Sequence, residues 1–286
     1  MIKFIAPAIL AFVIVACTSS KKEAEVSSAA PALKLLWQTD PVLTTAESVI
    51  YDTDNDVLYV ANINGAADAK DGNGFISKVG LDGKVSDLNW VTGIDAPKGM
   101  GIYGGKLYVA DIDRVHEIEI SSGKILNTYK AEGAKFLNDV ATGPDGKVYV
   151  SDSGAGEVLV LENGTIGKLM TNTPNPNGLF VDGNSLMIAL WDARTLNSID
   201  LGSKAITQKA DSLENPDGIE AVGDGGYFVS SWNGMVHYVS PEWKRTLVLD
   251  TRADSIGAAD IEYIPSKKLL LIPTFYKNTV AAYEVK

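Results

Sequence analysis

Four oxygen-bearing side chains stand at matching places of a repeat: Glu47, Asn138, Asn177 and Asp217. Two carboxylates and two amide carbonyls make a hard donor set. Calcium suits such a set, because it takes about 6–8 oxygens, amide oxygens and waters included. Zinc does not, since the chain holds one Cys and two His and offers no suitable pair. Any one of these residues alone is ordinary turn chemistry, because Asn-Gly and Asp-Gly pairs mark turns. Their shared register points instead to a divalent-cation site, most simply Ca²⁺, with Glu47, Asn138, Asn177 and Asp217 as metal ligands. Pro176 and Pro216 stiffen the approach to Asn177 and Asp217. Lys98 takes a fifth place in the same series. An ammonium there competes with a dication for Glu47 and Asp217, at roughly 4 kcal/mol for charges about 4 Å apart in a dielectric of ~20.

Other polar residues are weaker candidates. Trp191 and Trp232 follow equivalent strands of neighbouring repeats. They are expected either to wall the mouth of a site as substrate-binding surfaces or to pack between repeats. His116 and His237 sit on strands away from the ring register and read as ordinary strand residues, so a Ser-His-Asp triad is not supported. Asp68, Asp71 and Asn73 imitate part of a calcium loop but lack its spacing and final Glu, and read as a mobile surface insertion. Asp111, Asp152 and Asp192 end strands and are expected to satisfy nearby backbone donors.

The elements that position the ring follow from periodicity. A short apolar strand recurs six times, as in Leu58-Tyr-Val-Ala-Asn62, Leu107-Tyr-Val-Ala-Asp111 and Val148-Tyr-Val-Ser-Asp152. Each follows a turn rich in Gly, Asp or Lys, and each turn follows another strand. The residues just ahead of those first strands are Glu47, Lys98, Asn138, Asn177, Asp217 and Ala259, at steps of 51, 40, 39, 40 and 42. A period near 40 with several strands per unit is the signature of β-propeller blades. An insertion at Ala66–Gly74 explains the long first step. The expected fold is therefore all-β, a six-bladed β-propeller over residues 32–286. The last unit ends after three strands, so Leu33-Lys-Leu-Leu-Trp37 is expected to supply the fourth and close the ring.

With the register in place, Glu47, Phe136-Leu-Asn138-Asp139, Pro176-Asn177-Gly178-Leu179 and Pro216-Asp217-Gly218-Ile219 resemble the gluconolactonase / senescence marker protein (regucalcin) family across nearly the whole propeller region. The resemblance implies a divalent cation, often Ca²⁺, in the channel, held by Glu47, Asn177 and Asp217, with Asn138 touching metal or substrate. It implies hydrolysis of a sugar lactone or related ester. From the site itself, a bound cation is expected to polarise the carbonyl, Asp217 or a second carboxylate beside the metal to take a proton from water, and Lys98 to stabilise the oxyanion or bind a substrate carboxylate. Two places depart from the family pattern. Phe136 replaces the Arg that holds the sugar acid in animal lactonases, and Lys98 stands where a small residue is usual. The alternative is a non-catalytic propeller that binds a small ligand or an envelope protein.

The amino terminus reads as an address. Met1-Ile2-Lys3 precedes an uncharged apolar run, Phe4 to Ala16, too short to span a bilayer. It ends Ile14-Val15-Ala16-Cys17, which resembles a bacterial lipobox with Cys17 as the lipidated residue. Residues 1–16 are then a signal peptide and 17–31 a flexible tether. The expected location is the cell envelope, on the outer membrane if there are two, with the membrane reached through the lipid alone. One Cys excludes a disulfide scaffold, and a net charge of −11 without a basic run argues against nucleic-acid partners. The expected partner is a small molecule, and the expected state a monomer.

Overall fold

The computed structural model of the chain describes residues 1–2 and 30–286. Cys17, residues 3–16 of the expected signal peptide and most of the expected tether fall outside the described residues. The described chain forms six four-stranded antiparallel sheets. Blade 1 begins at the strand Ala46–Asp52, blade 2 at Pro97–Tyr103, blade 3 at Leu137–Thr142, blade 4 at Pro176–Asp182 and blade 5 at Pro216–Ala221. Blade 6 begins at the short strand Glu262–Ile264. Its outermost strand is Leu33–Gln38, paired antiparallel with Val280–Val285, so the ring closes as expected. The described helical structure is two single 3₁₀ turns, Arg252–Asp254 and Pro265–Lys267. None of it is long and apolar enough to cross a membrane.

The apolar residues of each blade pack on the next blade. Tyr59, Ala61 and Ile76 of blade 1 meet Met100, Leu107, Val109 and Ile118 of blade 2 in one buried cluster. Each fully buried large side chain stabilises the sheet pair by roughly 1.5–3 kcal/mol. The period-2 pattern of the strands thus places one face toward each neighbour.

One feature of the inner strands was not visible in the repeat. In the first five blades the ring residue is the second residue of the inner strand rather than the residue ahead of it. Pairing there skips: Pro176 opposes Leu190 but Leu179 opposes Ile188. The same skip occurs at Pro97/Met100, Leu137/Val140 and Pro216/Ile219, and a shorter one at Ala46/Ser48. Each is a β-bulge, which bends the strand and re-aims side chains. Glu47, Lys98, Asn138, Asn177 and Asp217 all lie in bulges.

Candidate functional site

The bulges crowd the inner strands against one another, and this sets residue choice. A Cβ on Gly178 would lie 1.8 Å from the Asp217 carbonyl oxygen, and one on Gly99 would lie 2.1 Å from Asp139 Oδ1. In blades 3 and 5 an unladdered N–H group of the bulge is taken up by a serine of the second strand. Asp139 N–H donates to Ser151 Oγ at 2.9 Å and Gly218 N–H to Ser230 Oγ at 2.8 Å, while Ser230 Oγ–H reaches Ala259 O at 2.7 Å. Asp139 accepts from the N–H of Leu179 in the next blade at 2.6 Å. Ser48 Oγ–H donates to Asp260 Oδ2 at 2.6 Å and ties blade 1 to blade 6. Ahead of the ring, Asp111 accepts from the N–H of Asp95 and Ala96, and Asp152 from Lys135 and Phe136. These aspartates do satisfy backbone donors, and the donors are those of the segments that deliver Lys98 and Asn138.

Three ring residues come together at the axis. The Asn177 amide lies close enough to Asp217 to favour its ionised form, and the Glu47 carboxylate is close enough to Asp217 for the two charges to oppose each other. All three are buried. Glu47 Oε2 and Asn177 Oδ1 are buried with no hydrogen-bond partner. Two orphaned acceptors in one ring are what a cation would satisfy, since an unmet buried acceptor costs about 1–3 kcal/mol. Among the described residues no group of three or more His, Cys, Asp and Glu is arranged to hold a metal. A cation here therefore draws on amide oxygens as well as carboxylates, and the donor set fits calcium on that basis.

Asn138 is half-buried, and its Nδ2 donates to Ser153 Oγ at 3.2 Å. It stands with Phe136, Ser153, Gly154, Asn175, Asn177 and Trp191 around a cavity of about 510 Å³. Trp232 is set behind Trp191, with ring centroids 6.3 Å apart, and contacts Phe275 and Tyr276 at 5.3 and 5.6 Å. The two tryptophans thus join one aromatic cluster at the channel mouth. Phe275 and Tyr276, in the last blade's loop, gave no repeat signal in the sequence.

Lys98 is 1% exposed and lines no part of that cavity. Its Nζ donates to Ala67 O at 2.9 Å and Ala96 O at 3.1 Å and lies 4.4 Å from the Phe136 ring centroid. No ion pair joins it to Glu47 or Asp217, so the ammonium does not fill the ring. Burial lowers its pKa, and the nearby Glu47, Asp111 and Asp68 carboxylates oppose that. The carbonyl it needs comes from the insertion, which is not free. Lys70 pairs with Asp113 at 2.5 Å, Gly72 N–H donates to Asp95 Oδ1 at 3.0 Å, and Ala67 packs on Ile63, Ala96 and Phe275. The segment read as a mobile loop is a strap over Lys98.

The channel carries carboxylates that the sequence reading passed over. Asp139, Glu220, Asp260 and Glu262 surround a cavity of about 40 Å³ along the axis. Their remoteness from bulk water raises every one of them: Asp139 to about 6 and Glu262 to about 8, with Asp260 and Glu220 well above the ordinary range. Burial, then Asp139, likewise lifts Asp217 to about 8, and burial, then Asp217, lifts Glu47. His116 is a satisfied strand residue, bonded through Nε2 to Asp111 at 2.9 Å and Nδ1 to Thr128 at 3.0 Å.

No protein-family model matches the chain, and no curated protein matches its sequence. Solved structures do match. A provisionally named gluconolactonase superposes with TM-score 0.67 at 16% identity, over 90% of this chain and 93% of that one. The chain has the fold of the gluconolactonase-like propellers. A catalytically inactive His-to-Ala variant of virginiamycin B lyase from Staphylococcus aureus, solved with quinupristin, superposes with TM-score 0.63 at 14% identity over 89% and 99% of the two chains. The nidogen/laminin complex gives 0.62 at 15% over 74% and 82%. At these identities the likeness is one of fold.

Proposed function

We propose that this chain is an envelope-anchored, metal-dependent hydrolase of the gluconolactonase-like type, acting on a neutral lactone or related ester. One observation carries the reading. Two orphaned acceptor oxygens, Glu47 Oε2 and Asn177 Oδ1, belong to a buried ring, and Asn177 with Asn138 also lines an aromatic-walled cavity. Glu47, Asn177 and Asp217 would hold the cation, with Asn138 at the cavity side. When bound, calcium would supply Lewis acidity toward a carbonyl oxygen. Asp217, ionised once the cation is bound, would accept the proton of the attacking water. Phe136 and Trp191 hold the ring of the substrate and keep bulk water away. No Lys or Arg lines the cavity, so a sugar-acid carboxylate finds no counter-charge there. Lys98 acts at a distance, offsetting part of the carboxylate charge around Glu47. Lipidated Cys17 would keep the domain on the membrane surface.

Tyr276, the exposed member of the aromatic cluster at 69%, favours the second reading, a propeller that binds a ligand without transforming it. A panel of neutral and acidic lactones and esters separates the two. Neutral members are expected to be hydrolysed with calcium present, and EDTA or Asp217→Ala is expected to lower kcat by at least about a hundredfold, within the span of one lost acid–base group. Absence of turnover across the panel with calcium supplied overturns the enzyme reading.

A further inference from the structure

Three of the four arginines in this acidic chain line one cavity. Arg194, Arg245 and Arg252 meet outside the channel, between blades 4 and 5, around a volume of about 650 Å³. Arg194 lies in the turn after Ser185–Leu190, Arg245 opens the strand Arg245–Asp250, and Arg252 follows that strand. Two of the guanidiniums are paired: Glu214 takes Arg194 at 2.9 Å and Arg252 at 3.7 Å, and Asp250 takes Arg252 at 2.7 Å. Arg245 has no carboxylate partner among the described residues. Its Nη1 lies 3.3 Å from His237 Nε2. A guanidinium only donates, so Nε2 accepts, and the neutral imidazole carries its proton on Nδ1. That Nδ1 has no partner, although His237 is 2% exposed and lines the cavity.

The repeat contains its own comparison. His116 opposes Val109 in blade 2 as His237 opposes Val229 in blade 5. His116 has Asp111 and Thr128 for its two nitrogens. At the corresponding places blade 5 has Ser231, whose Oγ is also unpartnered, and Leu247. The imidazole lacks those partners, and an arginine with no carboxylate partner stands against it instead.

We propose that this cavity binds a small oxyanion, a carboxylate, phosphate or sulfate, with Arg245 as its principal donor and Arg194 and Arg252 on its flanks. A guanidinium offers an oxyanion two parallel N–H bonds. Asp211 and Glu214 also line the cavity and Asp250 pairs with Arg252, so three carboxylates balance three arginines and Arg245 is left as the donor with no carboxylate, which fits a compact anion rather than a polyanion. Burial, then Arg245 and Arg252, hold His237 down at about 4, so the imidazole stays neutral and adds no further charge.

Titration calorimetry on the full chain at constant ionic strength tests this, with sodium acetate, phosphate and sulfate against chloride. At least one of the three is expected to bind saturably. Acetate alone would identify a carboxylate site, and phosphate or sulfate a tetrahedral one. Arg245→Gln is expected to weaken binding about tenfold or more, as loss of a charge-assisted pair does. Lys244→Gln, which removes the same charge one residue away, is expected to leave it unchanged. The ring nitrogen resonances of His237 should move on addition of the anion while those of His116 stay. Circular dichroism of both variants checks that they fold. Saturable heat with none of the three anions, or equal weakening by Lys244→Gln, overturns the proposal.

Discussion

Asp217, Glu47, Asp139, Asp260, Glu220 and Glu262 all face the channel region with carboxyls raised by burial, and the nearby ammonium is that of Lys98. The native state therefore binds more protons than the unfolded chain, whose carboxyls titrate near ~4. The associated stability is complete below that value and is lost as pH rises through the folded pKa values, about 6 for Asp139 and about 8 for Asp217 and Glu262. In EDTA the melting temperature is expected to fall between pH 5 and 8.5. On the proposed reading calcium should flatten that fall, since it would bind the ionised ring, and its benefit should grow with pH. At a hundred times its Kd it would add about 2.7 kcal/mol. Asp217→Asn should lessen the fall in EDTA and abolish the calcium response. A curve that rises with pH in EDTA would contradict the assignment. The ring residues were readable because they recur at one place in the repeat. Asp139 and Asp260 were not, because in Asp139-Val-Ala-Thr142 and Asp260-Ile-Glu-Tyr263 they look like the first residues of ordinary strands. Alternation alone does not say which face meets the axis.

The element that decides the site is the bulge. It sets an extra residue opposite the second strand and sends the ring side chain inward. Gly178 is the sharpest consequence. Its Cβ would sit inside the Asp217 carbonyl, so Gly178→Ala must displace one inner strand from another. A loss of about 3 kcal/mol or more is expected, at or beyond the upper end for overpacked interiors. Denaturant melts should show it, together with a weakened calcium response. A change below about 0.5 kcal/mol, the scatter of neutral surface substitutions, would show that the strands are not in this contact. Strand order and blade period were legible, since hydrophobic alternation and turn residues encode both. The bulge was not: Pro-Asn-Gly and Pro-Asp-Gly spell a turn and a strand start equally well. The anchoring of the insertion was hidden for a related reason. Its composition is that of a surface loop, and only the fold shows that Ala67 ends over Lys98.

For the molecule as a whole, adjacent blades share apolar clusters around the ring, and Leu33–Gln38 seals the last blade. A chain beginning at Thr39 leaves Val280–Val285 as an open edge strand, a template for self-association. Compared with a chain beginning at Ala30, it is expected to melt lower and to elute from gel filtration as aggregate. Equal behaviour of the two would mean that the first strand is not part of the fold's stability. This closure was legible because the last repeat was one strand short, a deficit that the residues before Thr39 were able to fill.

The join between Leu33–Gln38 and Val280–Val285 is noncovalent, yet it holds the two ends of the chain in one sheet. In the proposed site, an ion held by Glu47, Asn177 and Asp217 would span blades 1, 4 and 5 and so would resist any spreading of the circle. Transient parting of that seam and release of the ion are then two faces of one fluctuation. Deuterium uptake at the amides of Val280–Val285 should slow when calcium is added, well away from the axis itself. Uptake that ignores calcium would mean the seam breathes on its own.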